Sequence, residues 1–95
     1  MTSKYTKSAK GQQCQVRIPG VCNHNPETVV FAHLSGAGIG RKHLDIHGSY
    51  ACSDCHDAVD GRIPTGYERW RLIELHMEGM VRTQVIMIKM GVLVL

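Results

Sequence analysis

Cys52-Ser53-Asp54-Cys55-His56, with Asp60 four residues further on, is the stretch of this chain whose residue types and spacing could do chemistry. Two thiols three positions apart can close on one metal ion. His56 adjoins Cys55, and neighbouring positions on a helix do not share a face, whereas His56 and Asp60 at i and i+4 do. The segment can therefore serve two centres, a thiolate site through Cys52 and Cys55 and a second site through His56 and Asp60. Upstream, Cys14 and Cys22 form a Cys-x7-Cys pair and bring the thiols to four. Four is the ligand number of a tetrahedral structural zinc, for which thiolate is a favoured donor. The same letters, Cys-x-x-Cys-His, also spell the attachment motif of c-type haem. Haem would leave Cys14 and Cys22 without a role, so structural zinc is the expectation. An imidazole and a carboxylate on one helix face suit Mg²⁺ or Mn²⁺, which favour oxygen ligands and tolerate nitrogen.

Ninety-five residues point to a single domain, 1–95, with a modest core. A chain this short buries only about 60–68% of its unfolded surface, and small domains often add a metal or disulfides. No run of some 18 apolar residues is present, so no membrane span is expected. The stretch MTSKYTKSAKGQQ is basic but has no apolar core of a secretory signal. The expected location is the cytoplasm, where thiols stay reduced and clustered cysteines bind metal more often than they pair. Net charge is +3 and unevenly spread. Residues 1–42 carry Lys4, Lys7, Lys10, Arg17, Arg41 and Lys42 against Glu27 alone, which suits a phosphate backbone.

The elements that must position these groups follow from local pattern. Residues 3–10 predict a short helix within a basic arm, 1–13. Pro19-Gly20 is a turn signal that folds Cys14 back toward Cys22. Thr28 to Leu34 (TVVFAHL) reads as a strand, with Val29, Phe31 and His33 on one face. Ser35 to Lys42 is a glycine-rich basic loop without P-loop spacing. Leu44 to Ala51 reads as a second strand, carrying His47. Ser53 is placed to cap a helix over 54–60 with Gly61 as its stop. Thr65-Gly66-Tyr67-Glu68 fits a capping box, opening a helix to about 76 or 77. Gly79 is expected to break it, and a second helix runs over 80–90 with Val81, Val85 and Ile88 at i, i+4, i+7. His24, His43 and His76 are read as surface residues. The fold class is a small zinc-stabilised α+β domain: zinc loop, strand, loop, strand and short helix over 14–61, then two C-terminal helices over 65–90.

The segments CQVRIPGVCNHNPET, AHL, ACSDCHDAVD and EGMVRTQVI carry a resemblance that covers most of the chain. A histidine ending a strand, a glycine-bearing loop, a second strand, then Cys-x-x-Cys-His opening a helix is similar to the HNH, or ββα-metal, endonucleases. The likeness is closest to the YbcO-like nucleases of lambdoid phages and prophages. The resemblance implies that His33 is the general base that activates water, His56 a ligand of the catalytic Mg²⁺ or Mn²⁺ and Asp60 its second ligand. His47 falls where relatives have a loop-orienting asparagine, a role that Asp45 could also take. Ala32 stands where relatives often have a further metal ligand. Histidine titrates near pH 6.5, so a neutral imidazole is available at pH 7 to take a proton from water. The expected function is metal-dependent DNA endonuclease, with Lys4, Lys7, Lys10, Arg17, Arg41 and Lys42 on the backbone. The alternative is a non-catalytic, zinc-containing DNA-binding or adaptor module. The apolar C-terminus (VLVL) leaves a homodimer open.

Overall fold

A computed structural model describes residues 4–34 and 46–94. The element order is helix α1 (Lys4–Ser8), a single 3-10 turn (Pro26–Thr28), strand β1 (Val30–His33), strand β2 (Gly48–Ala51), helix α2 (Ser53–Val59) and helix α3 (Arg69–Lys89). The glycine-rich loop, Arg41, Lys42, His43, Asp45 and the start of the expected second strand lie outside the described residues. No helix among the described residues is long and apolar enough to cross a membrane.

β1 and β2 form a two-stranded antiparallel sheet in which Val30 pairs with Ala51 and His33 with Gly48. β1 is shorter than the 28–34 expected from its apolar run. Asn25, Pro26 and Thr28 divert the front of that run into a 3-10 turn, where the Asn25 side chain accepts from Glu27 N–H. All four residues of β2 are buried. Its free edge is covered rather than open: Gln15 N–H donates to Tyr50 O at 2.7 Å, and Tyr50 N–H donates to Thr83 Oγ1 at 2.9 Å. A two-stranded sheet is marginal alone, and here α3 and the segment at Gln15 complete it.

α2 is one residue displaced from the 54–60 reading. Cys52, not Ser53, is its N-cap, its sulfur accepting from Cys55 N–H. Ser53 N–H is taken instead by the Thr28 hydroxyl at 3.2 Å. Gly61 does stop the helix, in the left-handed conformation at φ 76°. Gly61 N–H reaches Ala58 O and Arg62 N–H reaches Asp57 O, the paired bonds of a Schellman motif.

The largest departure is at the C-terminus. The two helices expected over 65–90 are one helix of 21 residues, α3. Gly79 lies inside it, because the missing side chain is what lets α3 approach the chain at Val16. A Cβ there would meet Val16 Cα at 3.0 Å and Gln15 O at 3.1 Å. The roughly 1 kcal/mol that glycine costs in a helix is offset by that contact. The capping box does not form either: Glu68 is the N-cap without a side-chain bond, and Thr65 Oγ1 accepts from Tyr67 N–H. Val81, Val85 and Ile88 do not face the core. The buried side of α3 is Leu72, Leu75, His76, Gly79, Thr83 and Met87.

Candidate functional site

The four thiols converge because of the sheet-edge bond just described. Gln15 is hydrogen-bonded to Tyr50, which sets Cys14 beside Cys52. From there a turn with Val21 N–H on Ile18 O and Gly20 at φ 78° carries the chain through Pro19-Gly20 and back to Cys22. Helix α2 contributes Cys55 one turn after Cys52. The four sulfurs all lie within 4.8 Å of one another, and Cys14, Cys52 and Cys55 are buried. The cysteines are free thiols. Cys52 Sγ and Cys22 Sγ are 3.8 Å apart. A tetrahedron with Zn–S bonds of about 2.3 Å has an edge of about 3.8 Å, so the spacing fits a four-thiolate ion. The same convergence removes the haem reading, since Cys52 and Cys55 are turned toward Cys14 and Cys22.

Local backbone supports the quartet. Arg17 N–H points at Cys14 Sγ at 3.5 Å, Cys55 N–H at Cys52 Sγ at 3.4 Å, and His24 Nδ1 lies 3.6 Å from Cys22 Sγ. Arg17 and His24 are the two non-glycine residues with positive φ among the described residues, at 51° and 56°. Such a conformation costs on the order of 1 kcal/mol and persists where surroundings over-determine it. Both occurrences sit on the loop that delivers Cys14 and Cys22.

The thiols do not titrate alike. A hydrogen bond from the Cys55 thiol, aided by Arg17 N–H, draws Cys14 below the ordinary thiol value. Its bond to Cys14 and then burial push Cys55 up, and burial followed by the Cys14 charge pushes Cys22 up. One thiolate therefore forms readily and its neighbours resist. A bound divalent cation is what would let all four ionise together.

Beside this centre, His56 and Asp60 meet as expected from their i, i+4 spacing, Nε2 to Oδ2 at 3.1 Å, both partly exposed. The contact is a hydrogen-bonded imidazole–carboxylate pair, two groups of the kind that can also serve as cation ligands. Arg62, delivered by the Schellman turn, also reaches Asp60 Oδ2, at 2.8 Å, and Asp57 Oδ1 at 2.9 Å. The sequence reading missed this guanidinium.

His33 ends β1 on an exposed position, its ring edge-on to Phe31 at 5.1 Å. His47 precedes β2, half-buried, and its carbonyl accepts from Leu34 N–H at 2.8 Å. The register thus sets His33 and His47 at one end of the sheet. His76 of α3 reaches the same sheet and is buried, not on the surface as expected. Its Nε2 donates to Ala32 O at 3.0 Å, one residue before His33. Burial lowers its pKa, opposed by the Ala32 bond, and the charges of Asp60, His56 and Arg69 reach it. An unbroken α3 pattern of 72, 75, 76, 79, 83 would have marked His76 as inward. Of the basic residues, Lys4, Lys7 and Lys10 are exposed. The Arg17 guanidinium is held locally, on Cys14 O at 3.2 Å and Gln15 Oε1 at 3.1 Å.

A small α+β protein with a four-cysteine cluster, able to hold a metal ion, at the start of a short helix is the class these features define. Comparison with known proteins makes that particular: the family described as "Putative nuclease YbcO" matches residues 3–92, and the chain belongs to that family. It is 50% identical over 93 residues to the "Putative nuclease YbcO" of Escherichia coli (strain K12), covering 92% of this chain and 93% of the relative. The corresponding protein of Enterobacteria phage 82 matches to the same extent. A solved structure titled "Structure of a putative bacteriophage protein from Escherichia coli str. K-12 substr. MG1655" is similar with a TM-score of 0.78 and 49% identity, covering 92% of this chain and 99% of that one.

Proposed function

We propose that this chain is an endonuclease of the ββα-metal type, acting on DNA with a structural zinc and one catalytic divalent cation. The observation that carries the reading is the His56–Asp60 pair at 3.1 Å on the helix that opens with Cys52 and Cys55, following a strand that ends in His33. Family membership supports the nuclease class.

Cys14, Cys22, Cys52 and Cys55 would hold the zinc, which would fix the N-terminal loop to the start of α2. His56 and Asp60 would hold Mg²⁺ or Mn²⁺, which when bound would supply Lewis-acid stabilisation of charge on the phosphate. His33 takes the proton from the attacking water, and His47 at the same sheet end orients the neighbouring loop. His76 holds the Ala32 carbonyl and so fixes the backbone that presents His33. Arg62, at 2.8 Å from Asp60 Oδ2, neutralises that carboxylate and would compete with a cation for it. Lys4, Lys7 and Lys10, with Arg17, Arg41 and Lys42, hold the DNA backbone without reading sequence.

The ion pair of Arg62 with Asp60 favours one alternative, a zinc-containing DNA-binding or adaptor module in which the guanidinium keeps the carboxylate permanently. Plasmid nicking separates the two. With Mg²⁺ or Mn²⁺ the wild-type protein converts supercoiled to open-circular DNA, and His33→Ala and His56→Ala each lose the activity while retaining zinc. DNA binding without cleavage under either metal would establish the module instead.

A further inference from the structure

The end of α2 carries a network of His56, Asp57, Asp60 and Arg62. Asp60 Oδ2 takes two bonds, from His56 Nε2 at 3.1 Å and from Arg62 Nη2 at 2.8 Å. An ionised carboxylate has about two acceptor sites on each oxygen, so Oδ2 is saturated. A carboxylate only accepts, so the proton of the first contact lies on Nε2, and that ring nitrogen is engaged as well. The two atoms that meet in the pair are therefore both closed to a cation. Arg62 has a second anchor: Nη1 lies 2.9 Å from Asp57 Oδ1, and its backbone N–H bonds Asp57 O at 2.8 Å. The Arg62 side chain is nonetheless 57% exposed, against 22% for Asp60. An exposed ion pair of this kind is worth little, so another anion can take the guanidinium. The planar fork that spans two carboxylates matches a phosphate equally well.

We propose that Arg62 latches the His56–Asp60 pair against divalent cations and releases it by passing its guanidinium to a phosphodiester of bound nucleic acid. This rests on the reading of His56 and Asp60 as cation ligands and adds when they become available. With Arg62 in place, Asp60 is neutralised and both donor atoms are engaged. Once Nη2 turns to a phosphate oxygen, Asp60 regains its charge and an acceptor site. Asp57 keeps Nη1, so the guanidinium pivots and stays at the surface. Duplex DNA carries one negative charge per about 1.7 Å of its axis, a density that a single exposed carboxylate does not match. Free inorganic phosphate offers the same oxygens without that density. Cation affinity and nucleic-acid affinity are thereby coupled through one side chain, and by linkage each raises the other.

Mn²⁺ binding to the zinc-loaded full chain, followed by electron paramagnetic resonance without DNA, tests the latch. Arg62→Gln is expected to bind Mn²⁺ about fivefold more tightly than wild type, the upper end for one exposed pair, with unchanged circular dichroism and zinc content. Adding Asp60→Asn abolishes the gain, and Lys10→Gln, the same charge change on the N-terminal arm, produces none. Arg62→Lys, which keeps the charge but not the span from Asp57 to Asp60, gives part of it. The transfer to phosphate is read from the nuclear magnetic resonance signal of the Arg62 side-chain Nε–H, assigned by its loss in Arg62→Gln. A short duplex moves that signal, and inorganic phosphate at the same phosphate concentration does not. A Mn²⁺ affinity unchanged in Arg62→Gln, or a gain that survives Asp60→Asn, overturns the proposal. So does a signal indifferent to the duplex, or one that inorganic phosphate moves equally. Plasmid nicking keeps this apart from the nuclease reading. Nicking by wild type with no Mn²⁺ gain in Arg62→Gln removes the latch alone, whereas the gain and the duplex shift without nicking remove the nuclease alone.

Discussion

Each cysteine of the quartet has a different local support, yet all four sulfurs lie close enough to share one ion. Cys55→Ser removes a buried ligand and should abolish zinc binding, measured as zinc per chain by plasma emission spectrometry. Structural zinc contributes about 10–16 kcal/mol in small peptides, more than the 5–15 kcal/mol by which ordinary domains are stable. The variant is therefore expected to lose its cooperative thermal transition, and a chelator should do the same to the wild type. His76 makes a subtler contribution. His76→Leu removes the side-chain donor that reaches the buried Ala32 carbonyl, at a cost of about 1 kcal/mol, or roughly 4–8 °C in Tm. Burial depresses the folded-state pKa of His76 from its ordinary 6.5. Below pH 6.5 the unfolded chain binds this proton and the folded chain resists it, so folding stability falls as pH drops through that window. Denaturant melts of wild type and His76→Leu compared between pH 7.5 and 5.5 should show the steeper loss in the wild type.

Helix α3 shows how an element can contradict its own sequence pattern. Gly79 looks like a break, and Val81, Val85 and Ile88 look like an inward stripe. Both features have other causes: Gly79 admits the Val16 backbone, and the apolar triad lies on the outward side. Gly79→Ala tests the first. Alanine would gain about 1 kcal/mol of helix propensity, but its Cβ would press on Val16 Cα at 3.0 Å and Gln15 O at 3.1 Å. That segment is pinned by Gln15 N–H on Tyr50 O and by Arg82 on Gln15 O, so it yields little. Overpacking of this kind costs about 1–3 kcal/mol, and the net expectation is a lower Tm by a few degrees. A Tm raised by the substitution would show that α3 can shift away from the loop. Strand β2 makes the complementary point: four residues suffice because Thr83 and Gln15 occupy its free edge.

The chain presents exposed Lys4, Lys7 and Lys10 on its N-terminal arm, and its four-cysteine cluster gathers at the start of α2. Binding to DNA through these lysines would release counterions and depend on salt. Replacing all three by alanine should reduce the slope of log K against log salt by about 2.7 on duplex DNA, near 0.9 for each phosphate no longer neutralised. Fluorescence anisotropy between 50 and 200 mM salt measures it. A slope unchanged by the triple substitution would move the DNA path away from the N-terminal arm. Arg17 should contribute less than its charge implies, because its guanidinium is already committed to Cys14 O and Gln15 Oε1.

What could be read from residue order is whatever depends on short separations. The Cys52–Cys55 and His56–Asp60 pairings follow from helix geometry, Gly61 and Pro19-Gly20 stop and turn the chain by backbone conformation, and β1 follows from a β-branched and aromatic run. The long-range partners could not be read this way. That Cys14 meets Cys52 depends on one backbone bond between Gln15 and Tyr50, 35 positions apart. That His76 is buried, that Gly79 continues a helix and that Val81 faces outward depend on which side of α3 meets the sheet. Two apolar stripes on one helix carry equal hydrophobic signal, and only packing against a second element chooses between them.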